Sequence, residues 1–180
     1  MSDFPKNIIE PLVIIIPNSL ESIGGSFGAW FYNIPTIGAV YPTADLAFYI
    51  PFVLAKPITV VKLFCRNSST VSGNVDIRLY SADGTALTAS MQTAQTPINS
   101  SQEFDITDVV IGPGVFYIGI VLDNTTGILL RNLVTAELLA AAGVVQEQLG
   151  AGAALPNVAT FAHCPGTYLP ACGLTTRTVI

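Results

Sequence analysis

Residues 74–80 read NVDIRLY, in which apolar and polar side chains alternate without a break. Successive side chains of a β-strand point to opposite faces, so this pattern predicts a strand whose three aliphatic residues face a core. Asp76 and Arg78 are expected on the other, solvated face. Such a strand is typical of an antiparallel sheet that has one face covered and one face in water.

Further strand signals follow at short intervals on both sides of this segment. We predict strands at residues 47–54, 57–66, 86–90, 104–107, 115–122 and 127–133. Turn residues separate them at 81–85, 112–114 and 123–127, and residues 91–101 are expected to be a loop. Closely spaced strands with turns between them indicate an all-β fold, an antiparallel β-sandwich.

For two of these strands the sequence also predicts how the side chains are distributed between the two faces. Within residues 57–66, strict alternation puts Ile58, Val60, Lys62 and Phe64 on one face. Residues 115–122 are apolar on both faces, as in a central strand that is covered on both sides.

One segment, residues 135–143, is typical of a short helix, with Thr135 as its N-cap and Gly143 as its stop. The tail from residue 144 onwards is rich in Ala, Gly and Pro. We expect it to add edge strands near residues 159–162 and 174–180.

The N-terminal segment differs from the rest of the chain and is predicted to be an extended arm. Prolines and glycines interrupt it, and its apolar residues fall into two groups. We expect these groups to form interfaces with other subunits: Leu12, Val13, Ile14, Ile15 and Ile16, and the aromatic cluster Trp30, Phe31 and Tyr32. The chain is therefore divided into an arm, residues 1–36, and a β-sandwich domain, residues 37–180.

The composition favours a subunit of a larger assembly. Hydrophobic residues make up 51% of the chain and charged residues 11%, against roughly 25% charged in ordinary soluble domains. So few ionic side chains cover little surface, and apolar surface is typically buried between obligate partners. A homo-oligomer is expected.

Membranes and nucleic acids are not expected as partners. The aliphatic run at residues 12–16 is far shorter than the roughly 20 residues of a spanning helix, and the first residues lack the pattern of a secretory signal. The net charge is −5, and the seven Lys and Arg residues are scattered rather than clustered for phosphate binding.

The cysteines and the histidine give no clear metal or disulfide pattern. Cys65 lies in an apolar run and is expected to be a small buried side chain. Cys164 and Cys172 could pair, which the sequence leaves open. His163, Cys164 and Cys172 are zinc-ligand types, but their spacing differs from that of structural zinc sites. No cofactor or metal is predicted.

The sharpest enzymatic pattern is residues 24–28, GGSFG, which match the G-x-S-x-G turn of serine hydrolases. Asp108 or Asp123 and then His163 would complete a triad in the order Ser, Asp, His. That turn requires a buried strand leading into a helix, and the flanking residues predict neither. We therefore expect a protein that is not an enzyme.

Other polar and aromatic groups leave alternatives open. Acidic turn residues could bind calcium, paired carboxylates could hydrolyse glycosides, and aromatic rings could stack on sugars. The candidates are Asp83, Asp105, Asp108, Asp123 and Asn124 for calcium, Glu103 and Asp105 for hydrolysis, and residues 30–32, Tyr41, Tyr80 and Tyr117 for sugars. Turn formation and anchoring in a core or an interface are the simpler interpretations.

Four stretches, residues 41–52, 71–84, 112–119 and 172–180, resemble a jelly-roll module common among virion proteins of tailed bacteriophages. The matching motifs are a Tyr strand exit into an Asp-Gly turn and a Gly-Pro-Gly entry into an aromatic strand. Carbohydrate-binding jelly rolls share these motifs. The resemblance extends from residue 41 to residue 180, and the arm has no counterpart in it.

The resemblance implies a structural role and no catalytic residues. The expected protein is a head decoration (cement) or fibre-associated subunit, often a trimer, located in the virion after assembly in the host cytoplasm. Its expected partners are sister subunits and other virion proteins, such as the major capsid or tail protein. The alternative is a carbohydrate-binding module that attaches the particle to a host glycan.

Overall fold

The computed structural model of this chain describes residues 36–152 and 154–177. All of the predicted arm except Thr36 therefore lies outside the described residues. The described part contains twelve strands and one short helix. The strands are β1 (Thr36–Val40), β2 (Leu46–Leu54), β3 (Ile58–Arg66), β4 (Asn74–Ser81), β5 (Thr93–Ala94), β6 (Ser101–Ile111), β7 (Gly114–Leu122), β8 (Ile128–Leu133), β9 (Val145–Gln148), β10 (Ala162–His163), β11 (Tyr168–Pro170) and β12 (Cys172–Arg177), and the helix is α1 (Ala136–Ala141).

The strands form two layers of antiparallel sheet. One layer has the order β10-β9-β2-β7-β4-β5. The other consists of two three-stranded sheets, β1-β8-β11 and β12-β3-β6. Ala171 joins these two sheets, because its N–H donates to the carbonyl oxygen of Leu130 at 2.8 Å and its own carbonyl accepts from Arg66 N at 2.9 Å.

The first eight strands pair as the two arms of one rolled-up hairpin. β1 pairs with β8, β2 with β7, β3 with β6 and β4 with β5. This pairing is that of a jelly roll, so the predicted all-β, jelly-roll-like sandwich is confirmed. β9 to β12 are additions: β9 and β10 extend the β2 edge, and β11 and β12 lie between β8 and β3.

The main core lies between the two layers. Val75, Ile77 and Leu79 of β4 are fully buried in it, as the alternation predicts. β7 is central in its sheet, between β2 and β4, and its residues 118–122 are buried, which confirms the doubly covered strand. Pro51 lies beyond the part of β2 that pairs with β9, so it occupies an edge position, as its missing N–H requires.

β3 departs from its predicted alternation. The register with β6 shifts between Val60 and Lys62, which marks a bulge. Beyond the bulge the core-facing residues are Leu63 and Cys65, and Lys62 forms an exposed ion pair. The common face predicted for Ile58, Val60, Lys62 and Phe64 is therefore wrong, because one extra residue reverses the direction of every later side chain.

The predicted short helix is confirmed, and some strand limits are corrected. Thr135 caps α1, since its Oγ1 accepts a hydrogen bond from Leu138 N at 3.3 Å. Gly143 ends the helical segment with a φ of 73°. Residues 86–90 contain an isolated bridge at Ala86 rather than a strand, and β5 lies within the predicted loop 91–101. The tail forms β9 to β12, of which β10 overlaps the strand predicted near residues 159–162 and β12 the one predicted near residues 174–180.

Candidate docking surfaces

The outer face of the six-stranded sheet is covered by the chain itself. We name residues 149–152 and 154–161 the cover segment. Leu155 and Ala159 of this segment pack on the buried Tyr49, Tyr80 and Val121, which form a second, smaller core. The cover segment thus shields from solvent the sheet face that a two-layer sandwich would otherwise expose.

Asp76 binds the cover segment from the outer face of the six-stranded sheet. Its side chain lies on the outer face of β4, as predicted, but the residue is 0% exposed. The carboxylate accepts hydrogen bonds from Leu155 N at 2.8 Å, Met91 N at 2.7 Å and Ser90 Oγ at 2.6 Å. The predicted solvation of Asp76 is therefore wrong.

Arg78 binds the same segment two residues further along β4. Its Nη1 donates to the carbonyl oxygen of Leu155 at 2.7 Å, Nη2 to Asn157 Oδ1 at 3.0 Å, and Nε to the carbonyl oxygen of Thr88 at 3.0 Å. Both main-chain polar groups of Leu155 are thus satisfied by charged side chains. The predicted solvation of Arg78 is likewise wrong, because sequence alternation identifies a face and not what covers it.

Two tyrosines and a glutamate complete this contact. Tyr49 Oη donates to Glu147 Oε2 at 2.7 Å, and the same carboxylate oxygen accepts from Thr160 N at 3.0 Å. Tyr80 Oη donates to the carbonyl oxygen of Pro156 at 2.8 Å. Burial, followed by the bond to Glu147, raises the pKa of Tyr49, and burial raises that of Tyr80. These hydroxyls stay protonated and serve to hold the cover segment.

The described aromatic candidates do not form an open sugar platform. Tyr41 and Tyr80 are buried, and Tyr117 is half-buried with its ring centroid 4.5 Å from that of Phe161. Tyr41 Oη donates to the carbonyl oxygen of Leu46 at 2.6 Å. Tyr41 and Tyr80 are thus anchored in the core, the simpler of the two interpretations, and are not available for sugar stacking. The other candidates, residues 30–32, lie outside the described residues.

The acidic turn residues are engaged by donors of their own turns. Asp83 accepts from Ser81 Oγ and from Thr85 N, which lowers its pKa. Asp123 accepts from Asn74 N at 2.9 Å and from the amides of Asn74 and Asn124, each at 2.8 Å. Burial opposes ionisation of Asp123, but these bonds outweigh it and lower its pKa. Both carboxylates stabilise turns.

The other catalytic candidates lie on β6, on β10 or outside the described residues. Residues 24–28 are outside the described residues, and His163 is exposed on the edge strand β10. Asp105 and Asp108 are on the exposed part of β6. Glu103, also on β6, forms an ion pair with Lys62 at 2.9 Å, the only salt bridge within the described part of the chain.

The three cysteines are free and buried. Cys65 is a buried core residue, as predicted, and lies opposite Cys172 in the pairing of β3 with β12. Burial raises the pKa of Cys65 to about 12 and raises those of Cys164 and Cys172 as well. Within residues 36–152 and 154–177, no group of three His, Cys, Asp or Glu side chains could hold a metal ion.

Several large apolar side chains are exposed on the described surface: Ile37, Val40, Ile98, Val110, Val115, Leu138 and Val158. The largest exposures are those of Val110, at 67%, and Val158, at 64%. An open cleft of about 590 Å³ lies between the end of β8 and α1. Its lining residues are Arg131, Val134, Thr135, Ala136, Glu137, Leu138 and Thr167.

Sequence reasoning did not identify the residues that fix the cover segment or those that line this cleft. The predicted interface residues, 12–16 and 30–32, lie outside the described residues. No described helix has the length and apolar character of a membrane span. Comparison of the chain with protein-family models, with curated proteins and with solved structures found no match.

Proposed function

We propose that this chain is a structural subunit of a tailed-bacteriophage virion, a head decoration (cement) or fibre-associated protein without enzymatic activity. It docks on the particle and on sister subunits through its N-terminal arm and its exposed apolar side chains. The support for the particular assembly is the sequence resemblance over residues 41–180. The jelly-roll pairing of β1 to β8 agrees with the fold that this resemblance implies.

The observation that carries the proposal is the shortage of ionic surface. Charged residues are 11% of the chain, and a single salt bridge links the described residues. Exposed Val110 and Val158 add apolar area to that surface. Single exposed apolar residues are also common in monomers, so the low content of charged residues carries the argument.

The energetics of docking are favourable for an interface of ordinary size. A standard interface buries ~1,600 Å², of which roughly 60% is apolar. At about 25 cal/mol per Å², this apolar area contributes about 24 kcal/mol. The loss of translational and rotational freedom costs roughly 4–15 kcal/mol, and ordering of side chains and desolvation of polar groups cost more, so only part of the apolar contribution appears as affinity. Repetition around a symmetric particle adds avidity.

The cover segment further supports a structural role. It occupies the outer face of the six-stranded sheet, where Asp76, Arg78, Tyr49 and Tyr80 would otherwise be available to a ligand. Here these side chains bind the chain's own backbone. A carbohydrate-binding role would require a different surface.

Light scattering and binding to particles of the cognate phage test the proposal. We expect the purified chain to have a native mass that is a multiple of 18.9 kDa, with three copies favoured, and to bind particles that lack it. The double variant Val13→Asp/Ile15→Asp should lose both properties, because it places charge in the apolar group of the arm. Ala82→Asp, which places the same charge at an exposed turn residue outside the proposed docking groups, is the matched control.

Three results would contradict the proposal. A wild-type chain that is monomeric and does not bind particles has no docking function. If the double variant assembles like the wild type, the apolar group of the arm is not the docking element. Saturable binding on a glycan array, without binding to particles, would favour the carbohydrate-binding alternative.

A further inference from the structure

The cleft between β8 and α1 lies where the N-terminal segment enters the sandwich. Thr36, the first described residue, pairs with Asn132, and Ile37 pairs with Arg131, which lines the cleft. Paired residues of an antiparallel sheet share a face, so Ile37 and Arg131 lie side by side. Ile37 is one of the exposed apolar residues. The first residues of β1 therefore lie beside this cleft.

The walls of the cleft are mainly apolar. Val134, Ala136 and Leu138 contribute apolar side chains, and Leu138 is 42% exposed although it belongs to the packed helix α1. Arg131 supplies the positive group: its guanidinium lies 5.8 Å from the centroid of the Tyr168 ring. Its Nη1 donates to the carbonyl oxygen of Thr167 at 2.9 Å. A cation held in this way favours another aromatic ring or a carbonyl oxygen as its neighbour.

Two buried donors of β8 have no acceptor within the described part of the chain, and they lie on opposite faces of the strand. They are Nε of Arg131 and Nδ2 of Asn132. Buried donors without acceptors are costly and rare, so each such group requires a partner. Their neighbour Thr36 is directly preceded by the segment outside the described residues. Of the two residues only Arg131 lines the cleft, so an occupant of the cleft that offers a carbonyl oxygen would satisfy its Nε.

We propose that the aromatic cluster Trp30, Phe31 and Tyr32 of the same chain docks in this cleft and anchors the base of the arm. Three residues lie between Tyr32 and Thr36, and an extended chain spans about 14 Å over the four Cα-to-Cα steps. The cleft volume of about 590 Å³ accommodates aromatic side chains. The apolar group at residues 12–16 stays available for sister subunits. This inference does not depend on which assembly the protein belongs to.

The experiment uses the full chain and its single tryptophan, Trp30, whose fluorescence reports on the cluster alone. We expect the emission maximum of the native protein to lie at shorter wavelength than that of the urea-unfolded chain. We expect acrylamide to quench the native emission several-fold less. Both properties should remain unchanged on dilution, because the contact is within one chain.

Leu138→Asp places a charge in the cleft and should release the cluster. Its emission should shift to longer wavelength, its quenching should rise several-fold, and its circular dichroism should remain that of a β-sandwich. Val134→Ser, a milder change in the same cleft, provides a second variant if Leu138→Asp fails to fold. Val158→Asp is exposed outside the cleft and should leave the emission unchanged.

The proposal is overturned if native Trp30 emits and is quenched as in the unfolded chain. It is also overturned if neither cleft variant, when folded, changes the emission, since the cluster would then dock elsewhere. Loss of the native emission on dilution, in step with subunit dissociation, would place the cluster on a second copy and contradict docking within one chain.

Discussion

Asp76 lies on the outer face of β4, yet no part of it reaches solvent. Its carboxylate accepts the N–H groups of Met91 and Leu155 as well as the Ser90 hydroxyl. Asp76→Ala leaves both N–H groups without an acceptor, and each unsatisfied buried donor costs ~1–3 kcal/mol. We therefore expect the free energy of unfolding, measured by urea titration, to fall by about 3 kcal/mol.

Asp105→Ala is the matched control for this prediction. It removes the same side chain from an exposed position on β6. The free energy of unfolding should then change by no more than about 0.5 kcal/mol. If Asp76→Ala were as mild as Asp105→Ala, the carboxylate would not be holding residues 91 and 155, and the cover segment would depend on apolar packing alone.

The same residue shows how far single-sequence reasoning extends. The alternation of residues 74–80 correctly placed Asp76 and Arg78 opposite the core. It did not predict their burial, because the covering residues lie far along the chain in a segment without strand or helix periodicity. Polar residues that bind main-chain groups of an irregular segment leave no local pattern. A contact of this kind becomes visible only when the chain is folded.

At the scale of secondary-structure elements, Gly119 of β7 allows three neighbouring strands to pack their side chains. It pairs with Tyr49 of β2 on one side and with Arg78 of β4 on the other. The Tyr49 and Tyr80 rings meet edge to face, with centroids 5.3 Å apart, over the place where a side chain of residue 119 would be. The absence of a side chain there makes room for both rings.

Gly119→Ala should destabilise the sheet, although alanine ordinarily suits a strand better than glycine. A Cβ at residue 119 would lie 2.7 Å from a ring carbon of Tyr80 and 3.0 Å from one of Tyr49. Overpacking of this kind costs about 2 kcal/mol, which thermal or urea unfolding would detect. Gly150→Ala, where no atom lies within 4 Å of the added Cβ, should have almost no effect. Equal stability of the two variants would contradict the close packing.

Strands and helices with a strong local sequence pattern were predicted, whereas features that arise from pairing with another strand were not. The doubly apolar β7 and the capped helix α1 follow from their own residues. The bulge in β3 and the short strands β5, β9 and β11 do not, because they depend on pairing with β6, β4, β2 and β8. The cleft beside α1 was missed for the same reason: its walls come from β8, α1 and the loop before β11.

At the scale of the whole molecule, the balance between charge repulsion and apolar contact sets the tendency to assemble. The chain carries a net charge of −5 at pH 7 and has an isoelectric point near 4.5. Like charges on identical subunits repel one another, and this repulsion vanishes at the isoelectric point and weakens in salt. Apolar contacts are not weakened by either change, whereas interfacial ion pairs are weakened by salt and by protonation of carboxylates.

Self-association should therefore strengthen when the pH falls from 7 towards 4.5, and also when salt is added at pH 7. Sedimentation or light scattering over a dilution series would show the midpoint of dissociation moving to lower protein concentration. The Val13→Asp/Ile15→Asp variant distinguishes specific assembly from precipitation, since it should remain small under both conditions. Dissociation in salt or at pH 4.5 would mean that ion pairs hold the subunits together. The charged residues, 11% of the chain, would then lie at the interfaces. The exposed apolar side chains would not be explained by contacts between subunits.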